Sequence, residues 1–182
     1  KIMKKTKKSE TEAYALLIAD MLNDFVKKGA PLEVPKAREI IPSIRREIAK
    51  ARKCHIPIIY CCDAHKENDQ EFQLWPKHGV KGTEGARVIE QLKPNKDDFV
   101  VTKTRYSCFY KTPLNALLKK LEIKHIIVTG VATNICILYT VADAYMRDYT
   151  VTIPKDCVAA RKKGEHKFAL QQMERDFHVK IT

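Results

Sequence analysis

The sequence predicts a single α/β domain, built on a mostly parallel six-stranded sheet with helices on both faces. Three observations lead there. Short apolar runs rich in β-branched residues alternate with longer stretches of helical periodicity, the order that parallel strands and helical crossovers produce. The length, 182 residues, suits one domain with a substantial core. No internal repeat, low-complexity segment or interdomain linker interrupts the alternation.

Taken in order, Tyr14–Ala19 reads as the first strand and Lys36–Lys53 as the first long helix, with Ile40, Ile41, Ile44 and Ile48 recurring near the 3.6-residue period. Ile56–Cys62 follows as a strand, Gly85–Leu92 as a helix, and Asp98–Thr102 as the third strand. Pro113–Leu121 is the next helix, His125–Thr129 the next strand, and Asn134–Arg147 the helix after it. Strand Thr150–Ile153, helix Gly164–Phe177 and strand His178–Ile181 complete the pattern. The stretch from Asp63 to Thr83 exceeds the usual connection length, and such loops in compact domains tend to carry function. The domain is expected to occupy residues 13–182. Residues 1–12 are expected to form a basic extension, either disordered or vector-derived.

Composition excludes several classes. Hydrophobic residues make up 45% and charged residues 31%, ordinary for a globular protein, and no apolar run approaches the roughly 20 residues of a membrane span. The basic start lacks the apolar stretch of a secretory signal, so the expected location is the cytoplasm. Six scattered cysteines without CxxC spacing point to reduced thiols rather than a disulfide scaffold, with Cys61 and Cys62 facing opposite sides of a strand. A net charge of +12 invites nucleic acid as a partner, but five lysines fall in the first eight residues and other pairs, such as Arg45-Arg46 and Lys119-Lys120, sit at helix-surface spacing. Neither a nucleic-acid nor a membrane partner is expected.

In open α/β sheets ligands lie outside the carboxyl ends of the strands. Here those ends carry Asp20, then Asp63-Ala64-His65, then Lys103, then the run from Gly130 to Cys136. Cys136 stands near the start of a helix, where unpaired N–H groups favour thiolate. The same N–H groups, with that of Ala132, would form an oxyanion hole. Asp20, partly desolvated at a strand end, would have a raised pKa and exchange protons near neutrality. Lys103, between carboxylate and thiol, would favour thiolate and position Asp20. The bland alternatives are an inert buried cysteine, a helix-capping aspartate and a surface lysine. Their convergence on one edge weighs against all three.

These residues carry a resemblance. The run Leu17-Ile18-Ala19-Asp20-Met21-Leu22-Asn23-Asp24-Phe25 resembles the opening motif of isochorismatase-like cysteine hydrolases. Lys103-Thr104-Arg105-Tyr106-Ser107-Cys108-Phe109 and Gly130-Val131-Ala132-Thr133-Asn134-Ile135-Cys136, followed by Asp143-Ala144, are similar to the later motifs of that family and stand in its order. The resemblance spans residues 13 to 182. It implies an isochorismatase-like, Rossmann-like fold, an Asp20–Lys103–Cys136 triad, an oxyanion hole from the backbone of Ala132 and Cys136, a cis peptide before Ala132, and a homo-oligomer. Asn134 departs from the family, whose members often carry an acidic residue there.

The loop after the second strand bears on substrate. Asp63 and His65 alternate along the strand end and can turn to one site, with His78 a third ligand and Glu71 a fourth. Such N/O ligands suit zinc, with manganese or iron as alternatives; two ordinary loop histidines among solvated carboxylates are the plain alternative. Asp-x-His, then Glu, then Trp-Pro-x-His is similar to nicotinamidases, the metal-containing branch of the family. The branch implies nicotinamide as substrate, its ring nitrogen on the metal and its carboxamide against the cysteine. Phe25, Trp75 and Tyr106 are candidate walls of a flat slot, and Arg105 and Tyr110 candidate interface residues. The expected activity is hydrolysis of nicotinamide to nicotinate and ammonia. The alternatives are another small amide or carbamoyl compound, or a non-catalytic binding module.

Overall fold

The structure is a computed structural model that describes residues 13–182, so the basic extension expected at 1–12 lies outside the described residues. Strands β1 (Tyr14–Ala19), β2 (Ile58–Asp63), β3 (Phe99–Lys103), β4 (His125–Val131), β5 (Thr150–Ile153), β6 (Val158–Ala159) and β7 (Lys180–Ile181) form one sheet. Its order is β3-β2-β1-β4-β5-β7, with β6 paired to β4. Every pairing between these strands is parallel. The helices are α1 (Asn23–Val26), α2 (Ala37–Lys53), α3 (Leu114–Lys120), α4 (Leu138–Tyr145) and α5 (Lys163–Phe177).

The period-2 alternation of β1 separates two cores. Leu17 and Ala19 pack in one with residues of α3, α4 and α5. Leu16 and Ile18 pack in the other with residues of α1 and α2. Residues Ala15 to Ala19 are at most 1% exposed, which is why this strand reads as a continuous apolar run. Each leucine or isoleucine so buried contributes roughly 1.5–3 kcal/mol. Cys61 and Cys62 fall in opposite cores, and all six cysteines are free. No helix among the described residues is long and apolar enough to cross a membrane.

Two expected helices need correction, and the six expected strands gain one short neighbour. The predicted helix Gly85–Leu92 is a single 3-10 turn, Glu90–Leu92. Its first half is a turn and bend lying beside the chain after β1: Asn23 and Asp24 donate to the carbonyls of Arg87 and Gly85, Ile89 donates to that of Met21, and Leu22 and Val88 form an antiparallel bridge. Backbone groups engaged by that neighbour cannot also close helical bonds. A seventh strand, β6, prolongs the sheet beside β4, Gly130 facing Val158 and Val131 facing Ala159, beyond the residues of β4 that pair with β5. The predicted helix Asn134–Arg147 opens as a π-turn, Thr133–Ile137, before α4 begins.

Candidate active site

Register fixes what meets at the carboxyl edge. Ala19 pairs with Cys61 of β2 and Gly130 of β4, and Asp63 pairs with Lys103, so the residues at or just past these strand ends share one rim. Gly130 permits the approach: at φ +110, a Cβ there would lie 2.0 Å from the Ala19 carbonyl oxygen. Asp20 sits one residue past β1 at φ +52, a conformation that costs a non-glycine residue about 1–3 kcal/mol unless its surroundings impose it. Here they do. The Asp20 N–H donates to the Cys61 carbonyl at 2.9 Å, and its Oδ1 accepts from the Asp63 N–H at 3.0 Å.

Lys103 links the groups. Its Nζ lies 2.8 Å from Asp20 Oδ2, 2.5 Å from Asp63 Oδ1 and 3.7 Å from Cys136 Sγ. The second carboxylate was not foreseen from sequence. With Lys103 only 2% exposed, two anions offset the desolvation of one ammonium. Burial, aided by the charge of Asp63 and opposed by Lys103, raises the Asp20 carboxyl to about 6. The Cys136 thiol, 7% exposed, goes the other way from expectation. Burial pushes it well above its usual value despite the nearby ammonium, and Asp20 adds to the rise. Cys136 lies within a π-turn rather than the first turn of an α-helix, and its burial means that it needs a base to become a nucleophile. The Val131–Ala132 peptide is cis, as the resemblance implied.

Asp63 at the end of β2 and the loop residues His65 and His78 present ligand atoms all within 4.8 Å of one another, each residue buried. Asp63 Oδ1 serves Lys103, while Oδ2 lies 3.6 Å from His65 Nε2 and 3.8 Å from His78 Nε2. Both rings are oriented from behind. His78 Nδ1 donates to the Pro76 carbonyl at 2.7 Å, and His65 Nδ1 faces Asp69 Oδ2 at 3.2 Å. These partners place the Nδ1 proton outward and turn the Nε2 lone pairs into the site, as ligating histidines require. His65 Nε2 is buried with no hydrogen-bond partner among the described residues, the mark of a missing electrophile. Against burial, Asp63 and Asp69 raise the His65 pKa; Lys103 and His65, also against burial, hold the Asp63 carboxyl at about 2. The donor set fits a divalent cation. Glu71 stands just outside the trio, Oε1 3.8 Å from His78 Nε2.

Two groups outside the predicted set brace this loop. Asp69 Oδ1 accepts from the Glu71 N–H at 3.0 Å, capping the 3-10 turn Gln70–Gln73, and pairs with Arg105 Nη1 at 3.0 Å. Arg105 also comes within 3.7 Å of Glu71 Oε2, so it supports the loop instead of only facing outward toward an interface. Tyr110 is exposed, with Lys111 over its ring.

Phe25, Trp75 and Tyr106 line one cleft with Cys136, Ala132, Asp63, Glu71 and His78. Leu32, Val34 and Ile135 complete its apolar wall, and it holds about 430 Å³ free of protein atoms, mouth included. Trp75 Nε1 donates to Tyr106 Oη at 2.9 Å, which fixes both rings. Sequence reasoning missed Arg161, which also lines the cleft, and the anchors of the nucleophile turn. Thr133 Oγ1 is 2.9 Å from His166 Nδ1, and Asn134 Nδ2 donates to Glu165 at 3.2 Å. Asn134 Oδ1 is buried without a hydrogen-bond partner among the described residues. No sequence signal marked Arg161: the strand before it, β6, is only two residues long, and Arg161-Lys162-Lys163 reads as a solvated charge run.

Comparison with known proteins agrees with this geometry. Residues 14–182 match the family described as the isochorismatase domain. An uncharacterized isochorismatase family protein of Bacillus subtilis, YaaI, is 37% identical over 174 residues, 92% of each chain. A probable inactive nicotinamidase of Arabidopsis thaliana is 34% identical, covering 84% of this chain and 83% of its own. Among solved structures, an isochorismatase-like hydrolase from Alkaliphilus metalliredigens superposes with a TM-score of 0.89 at 36% identity, covering 92% of this chain and 93% of that one. A pyrazinamidase of Pyrococcus horikoshii in complex with zinc gives 0.88 at 30%, covering 93% and 98%.

Proposed function

This chain belongs to the isochorismatase family of hydrolases, and from that premise we propose that it is a metal-dependent cysteine amidohydrolase converting nicotinamide to nicotinate and ammonia through a thioester. One observation carries the reading. A single buried ammonium touches the carboxylate beside the thiol and a carboxylate of the histidine pair at once, so nucleophile, base and ligand set form one unit.

Asp20 takes the Cys136 proton as sulfur attacks the amide carbonyl, and the new oxyanion is received by the backbone N–H groups of Ala132 and Cys136. Asp20 returns the proton to the amide nitrogen, the carbon–nitrogen bond breaks, and ammonia leaves a nicotinoyl thioester. Water, deprotonated by Asp20, then cleaves the thioester to nicotinate and restores the thiol. Lys103 keeps Asp20 and Asp63 in place and offsets negative charge as the thiolate forms. Asp63, His65 and His78, with Glu71 at their edge, would hold zinc, or manganese or iron, which supplies Lewis-acid orientation of the ring nitrogen. Phe25, Trp75 and Tyr106 confine a flat ring. Free thiols suit a reducing cytoplasm.

The test is nicotinamide turnover on metal-analysed protein. Cys136→Ala should abolish ammonia release and leave metal content intact, whereas His65→Ala or His78→Ala should remove metal and weaken nicotinamide binding. Full activity in the histidine variants would make the substrate assignment wrong. A second reading keeps the machinery and changes the amide; Arg161 in the cleft favours it, because neutral nicotinamide offers that cation no partner.

A further inference from the structure

Two side-chain bonds tie the nucleophile turn to α5, and one of them leaves no alternative. Thr133 opens the turn, one residue past the cis peptide, and is fully buried. Its Oγ1 lies 2.9 Å from His166 Nδ1 and has no other hydrogen-bond partner among the described residues. A buried hydroxyl proton needs an acceptor, so Nδ1 accepts and the ring carries its proton on Nε2. Burial and the ammonium of Lys36 both lower the His166 pKa, which keeps the ring neutral and able to accept. The second bond is looser: Asn134 Nδ2 reaches Glu165 at 3.2 Å, and Glu165 is shared with Lys162.

The two sides of this tie differ in rigidity. α5 sends Ala169 and Met173 into the core that also holds Leu17 and Ala19 of β1, so its first turn is anchored by the helix behind it. The nucleophile turn is irregular, with the Ala132 carbonyl accepting from the N–H groups of both Ile135 and Ile137, a π geometry that is rare and frequent at functional sites. His166 is not part of the cleft lining. It borders a separate cavity with Lys36, Glu39 and Lys163, so its route to the chemistry runs through Thr133.

We propose that His166 is a positioning residue for the nucleophile: by accepting from Thr133 it sets the turn that carries Cys136 and the Ala132 N–H against Asp20 and Lys103. Its consequence for turnover rests on the amidohydrolase reading, whereas its consequence for the thiol does not. Without the acceptor, the Thr133 hydroxyl is left unsatisfied, and the turn shifts to find it a partner. A misplacement of about 1 Å at a reacting group can cost about a hundredfold in rate.

The experiment compares His166→Leu, His166→Asn and His166→Gln in the full chain, with metal content measured and nicotinamide as substrate. An asparagine oxygen can stand where Nδ1 stands, whereas a glutamine oxygen reaches the place of Nε2. In His166→Leu and His166→Gln kcat should fall by about 10–100-fold while KM stays within about threefold. His166→Asn should recover most of the loss. Thr133→Val should match His166→Leu, and the double variant should lose no more than either, because each removes the same bond. A loss confined to KM, a His166→Asn no better than His166→Gln, or additive losses in the double variant overturns the proposal. Should His166→Leu fail to fold, the comparison of His166→Asn with His166→Gln decides.

Alkylation of Cys136 by iodoacetamide needs no substrate, and the Cys136→Ala variant subtracts the other five of the six free thiols. The rate should slow by about threefold or more in His166→Leu, as a thiol moved off its base would, and recover in His166→Asn. That pattern, with no amide turned over by the unaltered protein, sinks the amidohydrolase reading alone. An alkylation rate that His166→Leu does not slow overturns the positioning role, whatever the turnover.

Discussion

At the residue scale the site works by dividing the atoms of its carboxylates. Asp63 gives one oxygen to Lys103 and keeps the other for the histidines; Asp69 gives one to Arg105 and Glu71 and the other to His65. Asp69→Asn should therefore weaken metal binding by roughly 10–100-fold, as losses behind ligating histidines do, while Cys136 stays intact; a competition titration with a metal indicator reads it, and an unchanged affinity would show that Asp69 only caps its turn. The pH profile tests Asp20. Its carboxyl, raised from 3.8 to about 6 chiefly by burial, must be ionised to accept the thiol proton. kcat/KM should thus be full above that value and fall about tenfold per unit below it; an acid limb centred near 4 would mean that the base titrates as a solvated carboxylate. Asp20, Asp63 and Lys103 were legible because each stands at a strand end or one residue past it, whereas Cys136, His65 and His78 were read from motif spacing. Arg161 was not, since Arg161-Lys162-Lys163 reads as a solvated charge run, and Asp69 looked like any loop carboxylate. The thiolate expectation failed because the helix's leading end was weighed and burial was not.

At the scale of elements, sequence reading succeeded where burial was uniform and failed where partners are remote. β1 to β5 were placed within a few residues of their true bounds, since both cores demand unbroken apolar runs. β6 escaped notice because two residues make no pattern, and the Gly85–Leu92 stretch misled because its backbone partners lie some sixty residues earlier in the chain. The β1–β4 contact is the joint on which the rim depends. Gly130→Ala should destabilise the fold by about 3 kcal/mol or more, combining a left-handed backbone with a clash against Ala19. Gly164→Ala, in α5 where an added Cβ meets nothing within 4 Å, should be neutral or stabilising by up to about 1 kcal/mol. Chemical denaturation of the pair checks both. A mild Gly130→Ala would mean that the strands can part without loss.

At the scale of the whole molecule, the ligand cluster draws on β2 and the loop beyond it, and through Lys103 it reaches β3 and the residue past β1. Unfolding scatters these groups, so a cation held by Asp63, His65 and His78 should bind the native chain alone and stabilise it by mass action. At a metal concentration a hundred times the dissociation constant, that amounts to about 2.7 kcal/mol, or a rise in Tm of about 5–10 °C for a chain of this size. Scanning calorimetry with zinc, then with excess chelator, should show the rise and its reversal. His78→Ala should abolish the metal-dependent part, and Cys136→Ala should retain it, because the thiol lies outside the ligand cluster. If zinc leaves Tm unmoved in the unaltered protein, the two inward-facing ring nitrogens must be satisfied by something other than a metal, and the nicotinamide reading loses its orienting group with them.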